Sequence, residues 1–164
     1  MRLPRLLLLA LAATSLISCA ASGSKMKGLT GRGVARISDV RTTAYTHSEA
    51  DHIQYGATSA VGSNLKFGNV RSAAADWSVY PVGTIFQIEG TNHIYQVDDY
   101  GSALVGTNTI DIYQPTKQTM NQWGVRNVNI KVLKWGSFAQ SLNIMKPRAK
   151  YTHVRQMVER IEKS

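Results

Sequence analysis

A chain of 164 residues accommodates one domain with short appendages, and 43% apolar against 18% charged residues excludes both a disordered chain and a multi-span membrane protein. The single cysteine, Cys19, excludes an internal disulfide framework and a zinc site built from several thiolates. The formal charge of +9 is uneven: residues 20–36 and 146–164 carry +4 each, whereas 37–145 carry seven basic and eight acidic residues. A nucleic-acid reader more often carries its basic residues on the folded face, so basic flanks point to an anionic surface or to solvated tails.

In chain order, Arg2 and Arg5 precede an apolar run from Leu6 to Ala13, followed by small and polar residues. This is the n-region and h-region of a secretory signal, and the run is too short to cross a bilayer as a mature helix. Leu16-Ile17-Ser18-Cys19 resembles a bacterial lipobox, in which cleavage before the cysteine precedes its acylation. That resemblance implies a signal peptide over 1–18, lipidation at Cys19 and a membrane anchor. Ala20 at the next position, where aspartate usually marks inner-membrane retention, leans toward the outer membrane. An ordinary cleaved signal with an incidental cysteine is the alternative. Residues 19–36 are small, Gly-rich and basic with no apolar period, and read as a flexible tether.

The folded domain is expected over 37–138, with short apolar spacings and frequent turns. Residues 40–46, 70–75, 84–89, 93–99, 109–113 and 127–134 read as strands. Gly90-Thr91-Asn92 signals a hairpin between two of them. Pro115 to Trp123 reads as a short helix, opened by a proline and closed by Gly124. Short strands around one helix suggest a small, mainly β barrel. Residues 139–164 are expected to form a basic amphipathic C-terminal helix. There Tyr151, Val154, Val158 and Ile161 recur at helical spacing, a stripe suited to packing on the barrel.

Acidic residues are few, so each placement is informative. Asp111 lies in Ile110-Asp111-Ile112-Tyr113; strand alternation puts the isoleucines on one face and Asp111 with Tyr113 on the other. The same alternation groups Tyr95, Val97 and Asp99, and turns Asp98 away as a turn or surface charge. His47, Glu49, Asp51 and His52 crowd one loop but match neither a helical HExxH nor a calcium loop. They read as a polar rim, with no metal and no cofactor expected.

Four blocks stand in order: Ala74-Ala75-Asp76, Pro81-Val82-Gly83-Thr84, the run from Asp99 to Gly106, and Ile110-Asp111-Ile112-Tyr113. With Thr43-Ala44-Tyr45-Thr46 before them and Asn127 to Lys134 after, they resemble the three-aspartate (3D) domain family. The same signature ends membrane-bound lytic transglycosylase A. The resemblance covers about residues 41–135 and implies a six-stranded double-psi β-barrel. Ser102 stands where the family has its second glycine, Tyr100 where the residue is usually small, and Trp77 where a proline usually follows the first aspartate.

What the resemblance implies is a lytic transglycosylase that cleaves the β-1,4 bond from N-acetylmuramic acid to N-acetylglucosamine in peptidoglycan, forming 1,6-anhydro-muramic ends. Glycosidases ordinarily need two carboxyls, one of them to activate water or attack the sugar. Here the sugar's own C6 hydroxyl attacks, so one carboxyl can act as acid and then as base. The family's acid maps onto Asp111, with Asp99 and Asp76 orienting it or stabilising charge. Such an acid must start protonated, which apolar surroundings and a like charge nearby favour. Thr43, Tyr45, Tyr100, Gly101, Ser102 and Tyr113 are the expected substrate contacts. Peptidoglycan and the membrane are then the partners, and nucleic acid is not. A non-catalytic wall-binding or wall-loosening barrel is the alternative, and an envelope interaction lipoprotein is a third reading.

Overall fold

The structure, a computed structural model, describes residues 34–50 and 53–164. Signal, lipobox and most of the tether, together with Asp51 and His52, lie outside the described residues. The chain is mainly β. Six strands are β1 (Ala35–Tyr45), β2 (Val70–Ala75), β3 (Ile85–Ile88), β4 (Ile94–Asp99), β5 (Ile110–Tyr113) and β6 (Arg126–Lys134). They close into a ring in the order β1-β5-β2-β4-β3-β6, a closed barrel. The pairs β1–β5 and β2–β4 are parallel, and the other four contacts are antiparallel. Closure leaves no unpaired strand edge.

The interior follows from alternation. Ala73 and Ala75 of β2, Tyr95 and Val97 of β4, and Ile110 and Ile112 of β5 point inward, with Phe86, Ile88, Ile130 and Val132 from β3 and β6. The Phe86 and Tyr95 rings stack 5.3 Å apart. The expected hairpin joins β3 to β4, its turn carrying Gly90 at φ 78°. The expected helix is α1 (Lys117–Trp123). The Thr116 hydroxyl caps it by accepting from Thr119 N–H, and Gly124, at φ 60°, ends it by donating to Met120 O.

Two boundaries differ from the sequence reading. β1 begins at Ala35, not after residue 36, because Ala35 and Arg36 find ladder partners in Val132 and Lys131 of β6. Pairing across the ring supplies what local composition lacked. Residues 139–164 are not one helix. They form α2 (Phe138–Met145), a 3-10 turn over Lys146–Arg148, and α3 (Thr152–Glu162). Pro147 has no N–H to give an α-helical ladder and crowds the preceding turn, so the chain breaks there. Val154, Met157 and Val158 of α3 are buried in the main core, whereas Tyr151 is half exposed. Among the described residues no helix is long and apolar enough to cross a membrane.

The helices are tied to the strands at one tight crossing. Gly136, just past β6, leaves no room for a side chain: a Cβ there would lie 2.1 Å from Val82 O and 2.4 Å from Pro81 O. Its N–H donates to Thr84 Oγ1, and Ser137 N–H donates to Val82 O. Val82 N–H in turn donates to Ser141 Oγ on α2.

Candidate functional site

The outward face of β1, β5, β2 and β4 carries one row of residues in register. Thr43 is paired with Asp111, Asp111 with Ala74, and Ala74 with Asp99. Paired residues on neighbouring strands project to the same face, so Asp111 and Asp99 flank the methyl group of Ala74. Two strand spacings separate their Cα atoms, about 10 Å. Thr43 Oγ1 donates to Asp111 Oδ1 at 2.7 Å. Next to this row lies a second apolar cluster of Tyr45, Ala74, Leu104 and Tyr113, with Leu65 against it. As alternation on β5 predicts, Ile110 and Ile112 are interior while Tyr113 faces outward with Asp111.

Asp99 reaches this face against the simple alternation. β2 and β4 lose register between Ala73, opposite Val97, and Ala74, opposite Asp99. Asp98 is the extra residue of a β-bulge, where two residues oppose one. Val97 therefore stays in the core while Asp99 turns outward. Its Oδ2 accepts from the Tyr45 hydroxyl at 3.2 Å; its Oδ1 accepts from Ala60 N–H at 3.0 Å and Tyr100 N–H at 2.9 Å. Burial is the main cause that holds the Tyr45 phenol well above its ordinary value, and the charges of Asp99, Asp98 and Asp111 add to it. Tyr45 is thus a hydroxyl donor to Asp99 throughout the neutral range.

Asp98 is corrected by the structure. It is neither a turn residue nor a solvated charge but 1% exposed, on the same side as Ser72. Its Oδ2 accepts from Lys66 Nζ and from Ser72 Oγ, both at 2.8 Å. Burial pushes its carboxyl up from the ordinary value; Lys66 and Ser72 oppose that, and the neighbouring Asp99 charge adds to it. Two aspartates in succession at a strand end were the available signal, since a regular strand would bury one and expose the other.

Asp76 occupies a different setting. It is 0% exposed, just past β2, beneath α3. Its Oδ1 accepts from Ser78 N–H at 2.8 Å and Ser78 Oγ at 2.6 Å. Its Oδ2 accepts from Gly106 N–H at 2.7 Å and pairs with Arg160 of α3 at 3.0 Å. The next residue, Trp77, donates its indole N–H to Asp99 O at 2.8 Å. Its ring meets Tyr100 edge-on, 4.9 Å between centroids. Two of the three departures from the family pattern, Trp77 and Tyr100, thus pack against each other beside Asp99.

Of the expected substrate contacts, Tyr45 and Tyr113 are largely buried, while Thr43, Tyr100 and Gly101 are half-buried. Ser102 is exposed and opens a 3-10 turn over Ser102–Leu104. The Tyr113 hydroxyl lies 2.8 Å from His47 Nδ1, and burial raises its phenol above the ordinary value. Glu49 accepts from Thr46 N–H. Among the described residues no group of three His, Cys, Asp or Glu side chains is arranged to hold a metal ion.

Two relatives from Bacillus subtilis (strain 168) resemble the chain. YabE, named for a proposed role in cell wall shaping, is 31% identical over 118 residues, 71% of this chain and 28% of its own length. YocH, named a cell wall-binding protein, is 35% identical over 95 residues, 57% of this chain and 31% of its own. The chain spans less than a third of either relative. The 3D domain family matches residues 71–134, the segment that contributes β2 to β6 and all three aspartates of the expected motif. Residues 71–134 are thus a 3D domain.

Proposed function

We propose that this protein acts on peptidoglycan glycan strands as a lytic transglycosylase, with Asp111 as its acid–base residue on a double-psi barrel. The carrying observation is the row Thr43–Asp111–Ala74–Asp99, which sets two carboxylates on one face with only a methyl group between them. Such spacing leaves room for a sugar hydroxyl between the acids. Two parallel strand pairs joined by the antiparallel β5–β2 contact support the double-psi reading.

In the reaction, the Asp111 carboxyl gives its proton to the glycosidic oxygen as the bond from that oxygen to C1 of N-acetylmuramic acid breaks. The resulting carboxylate then takes the proton of the C6 hydroxyl as O6 bonds to C1, which closes the 1,6-anhydro ring and restores the acid. Thr43 orients the carboxyl through Oδ1. Asp99, held by Ala60, Tyr100 and Tyr45, offers negative charge to the oxocarbenium-like centre. Asp76 supports the site from beneath, because its oxygens are engaged by Ser78, Gly106 and Arg160. Tyr100, Gly101 and Ser102 form the accessible rim for the glycan, with Tyr45 and Tyr113 behind it.

Incubation of purified wall with the protein, read by mass spectrometry, tests this. Asp111→Asn keeps shape and hydrogen bonding but removes the transferable proton, so release of anhydro-muropeptides should fall about 10²–10⁴-fold. Release at the wild-type rate would move the role to Asp99. The second reading, a non-catalytic wall-binding barrel, is favoured by the name of the relative YocH. It wins if the wild type sediments with wall but releases no anhydro products.

We place the protein in the cell envelope, tethered from an acylated Cys19 through the residues that precede β1, with Ala20 favouring the outer membrane. Cys19→Ala should abolish partitioning into the detergent phase. Equal partitioning of both forms would remove the anchor.

A further inference from the structure

Asp99 is held by two backbone N–H groups from segments outside the strand ladder. Ala60 lies in the connection from β1 to β2, and Tyr100 follows β4. Both residues are gripped a second time, and by the same atom. Arg148 Nη1 donates to Ala60 O at 2.8 Å and to the Tyr100 hydroxyl at 3.3 Å. One guanidinium nitrogen carries two N–H groups, one for each acceptor. The Ala60 residue therefore runs from Asp99 at its N–H to Arg148 at its carbonyl. Tyr100 runs from Asp99 at its backbone to Arg148 at its phenol.

The circuit closes on the far side as well. The Tyr100 ring abuts Trp77, whose indole N–H donates to Asp99 O. Trp77 N–H faces the sulfur of Met157, fully buried on α3. Arg148 ends the 3-10 turn between α2 and α3, with its carbonyl accepting from Tyr151 N–H, so its position is set by helices docked on the core. It is half-buried and lies outside the segment 71–134 that matches the 3D domain.

We propose that Arg148 is a positioning residue for Asp99, clamping Ala60 and Tyr100 so that both backbone N–H groups converge on Oδ1. It touches no reacting atom, and acts only through the residues that aim the carboxylate. The inference deepens the proposed function, since it assigns the C-terminal helices a part in shaping the site.

The test reads the clamp directly, by amide NMR of the full chain. An N–H bonded to a carboxylate makes a short, charge-assisted bond, and its proton resonates downfield. In Arg148→Leu the Ala60 and Tyr100 amide protons should move upfield together and exchange with solvent about tenfold faster. The Asp111 and Thr43 amides should stay in place, as should every one of these in the control Lys150→Ala. Adding Arg148→Leu to Asp99→Ala should shift the Ala60 and Tyr100 amides little further, because Asp99→Ala already removes the oxygen on which both N–H groups converge. If Arg148→Leu does not fold, Arg148→Lys carries the same measurement, with smaller shifts at the same two amides.

Unmoved Ala60 and Tyr100 amides in a folded Arg148 variant would overturn the proposal, as would shifts spread evenly around the ring or full additivity with Asp99→Ala. The measurement needs no substrate. Absence of anhydro products from the wild type would defeat the transglycosylase reading and leave the clamp standing, while unmoved amides in an active protein would defeat only the clamp.

Discussion

A single extra residue in β4 decides which carboxylate faces outward. Without the bulge at Asp98, Asp99 would follow Tyr95 and Val97 into the interior, an ionisable group among isoleucines with no partner. The bulge turns it outward at the cost of burying Asp98, and Lys66 with Ser72 offsets that cost. Burial nevertheless outweighs those partners, so the folded protein favours the protonated Asp98 more than the unfolded chain does. Above its ordinary value of 3.8 the folded state then holds more proton than the unfolded state. The stability contributed by this group is complete below that value and is lost as pH rises through the raised folded value. Asp98→Asn cannot ionise. The unfolding free energy of wild type minus that of Asp98→Asn should therefore decline from pH 3.5 to pH 7 in urea titrations. A difference that grows with pH would mean that Lys66 dominates.

At the scale of elements, Asp76 acts as a junction. One carboxylate gathers the turn after β2 through Ser78, the connection from β4 to β5 through Gly106, and α3 through Arg160. Gly106 is favoured at that approach because its φ is 82°, a left-handed conformation that other residues rarely adopt. Asp76→Ala would remove the buried acceptor shared by Ser78, Gly106 and Arg160, and a hydrogen bond to a charged group contributes about 1.5–3 kcal/mol. Chemical denaturation should show a loss of roughly 3 kcal/mol or more. Arg160→Met should cost less, because the Arg160 side chain is 47% exposed and the other three donors remain on Asp76. Equal losses from both variants would place the stabilisation in the ion pair alone.

Across the whole molecule, the strand ring does not cover its own core. Met145, Val154, Met157 and Val158 from the C-terminal helices belong to the same buried cluster as Trp77, Tyr80 and Val82. Ser141 and Ser137 also satisfy backbone groups of Val82. Removal of residues 137–164 would expose that apolar surface and leave those backbone groups to water. The shortened chain should retain β-type far-UV dichroism, lose near-UV dichroism from Trp77, bind a hydrophobic dye and unfold without cooperativity. A cooperative transition at the wild-type midpoint would show that the helices are dispensable to the fold.

Local pattern alone determined the strands, the hairpin at Gly90, the helix before Gly124 and the outward placement of Asp111, because each depends on alternation or on a turn residue within a few positions. The four motif blocks likewise carried the family, which residue identities and their order are enough to recognise. Tertiary structure decided the rest. The extension of β1 to Ala35 required a partner strand about a hundred residues away. Asp98 is buried against Lys66 and Ser72, and Asp99 leaves the face of Tyr95 and Val97, because a bulge is a property of two strands in register, invisible in either strand alone. The links from Arg160 to Asp76 and from Arg148 to Ala60 and Tyr100 span between 48 and 88 positions. No periodicity encodes such pairs; they exist because closing the ring and docking the helices bring those side chains within hydrogen-bond reach.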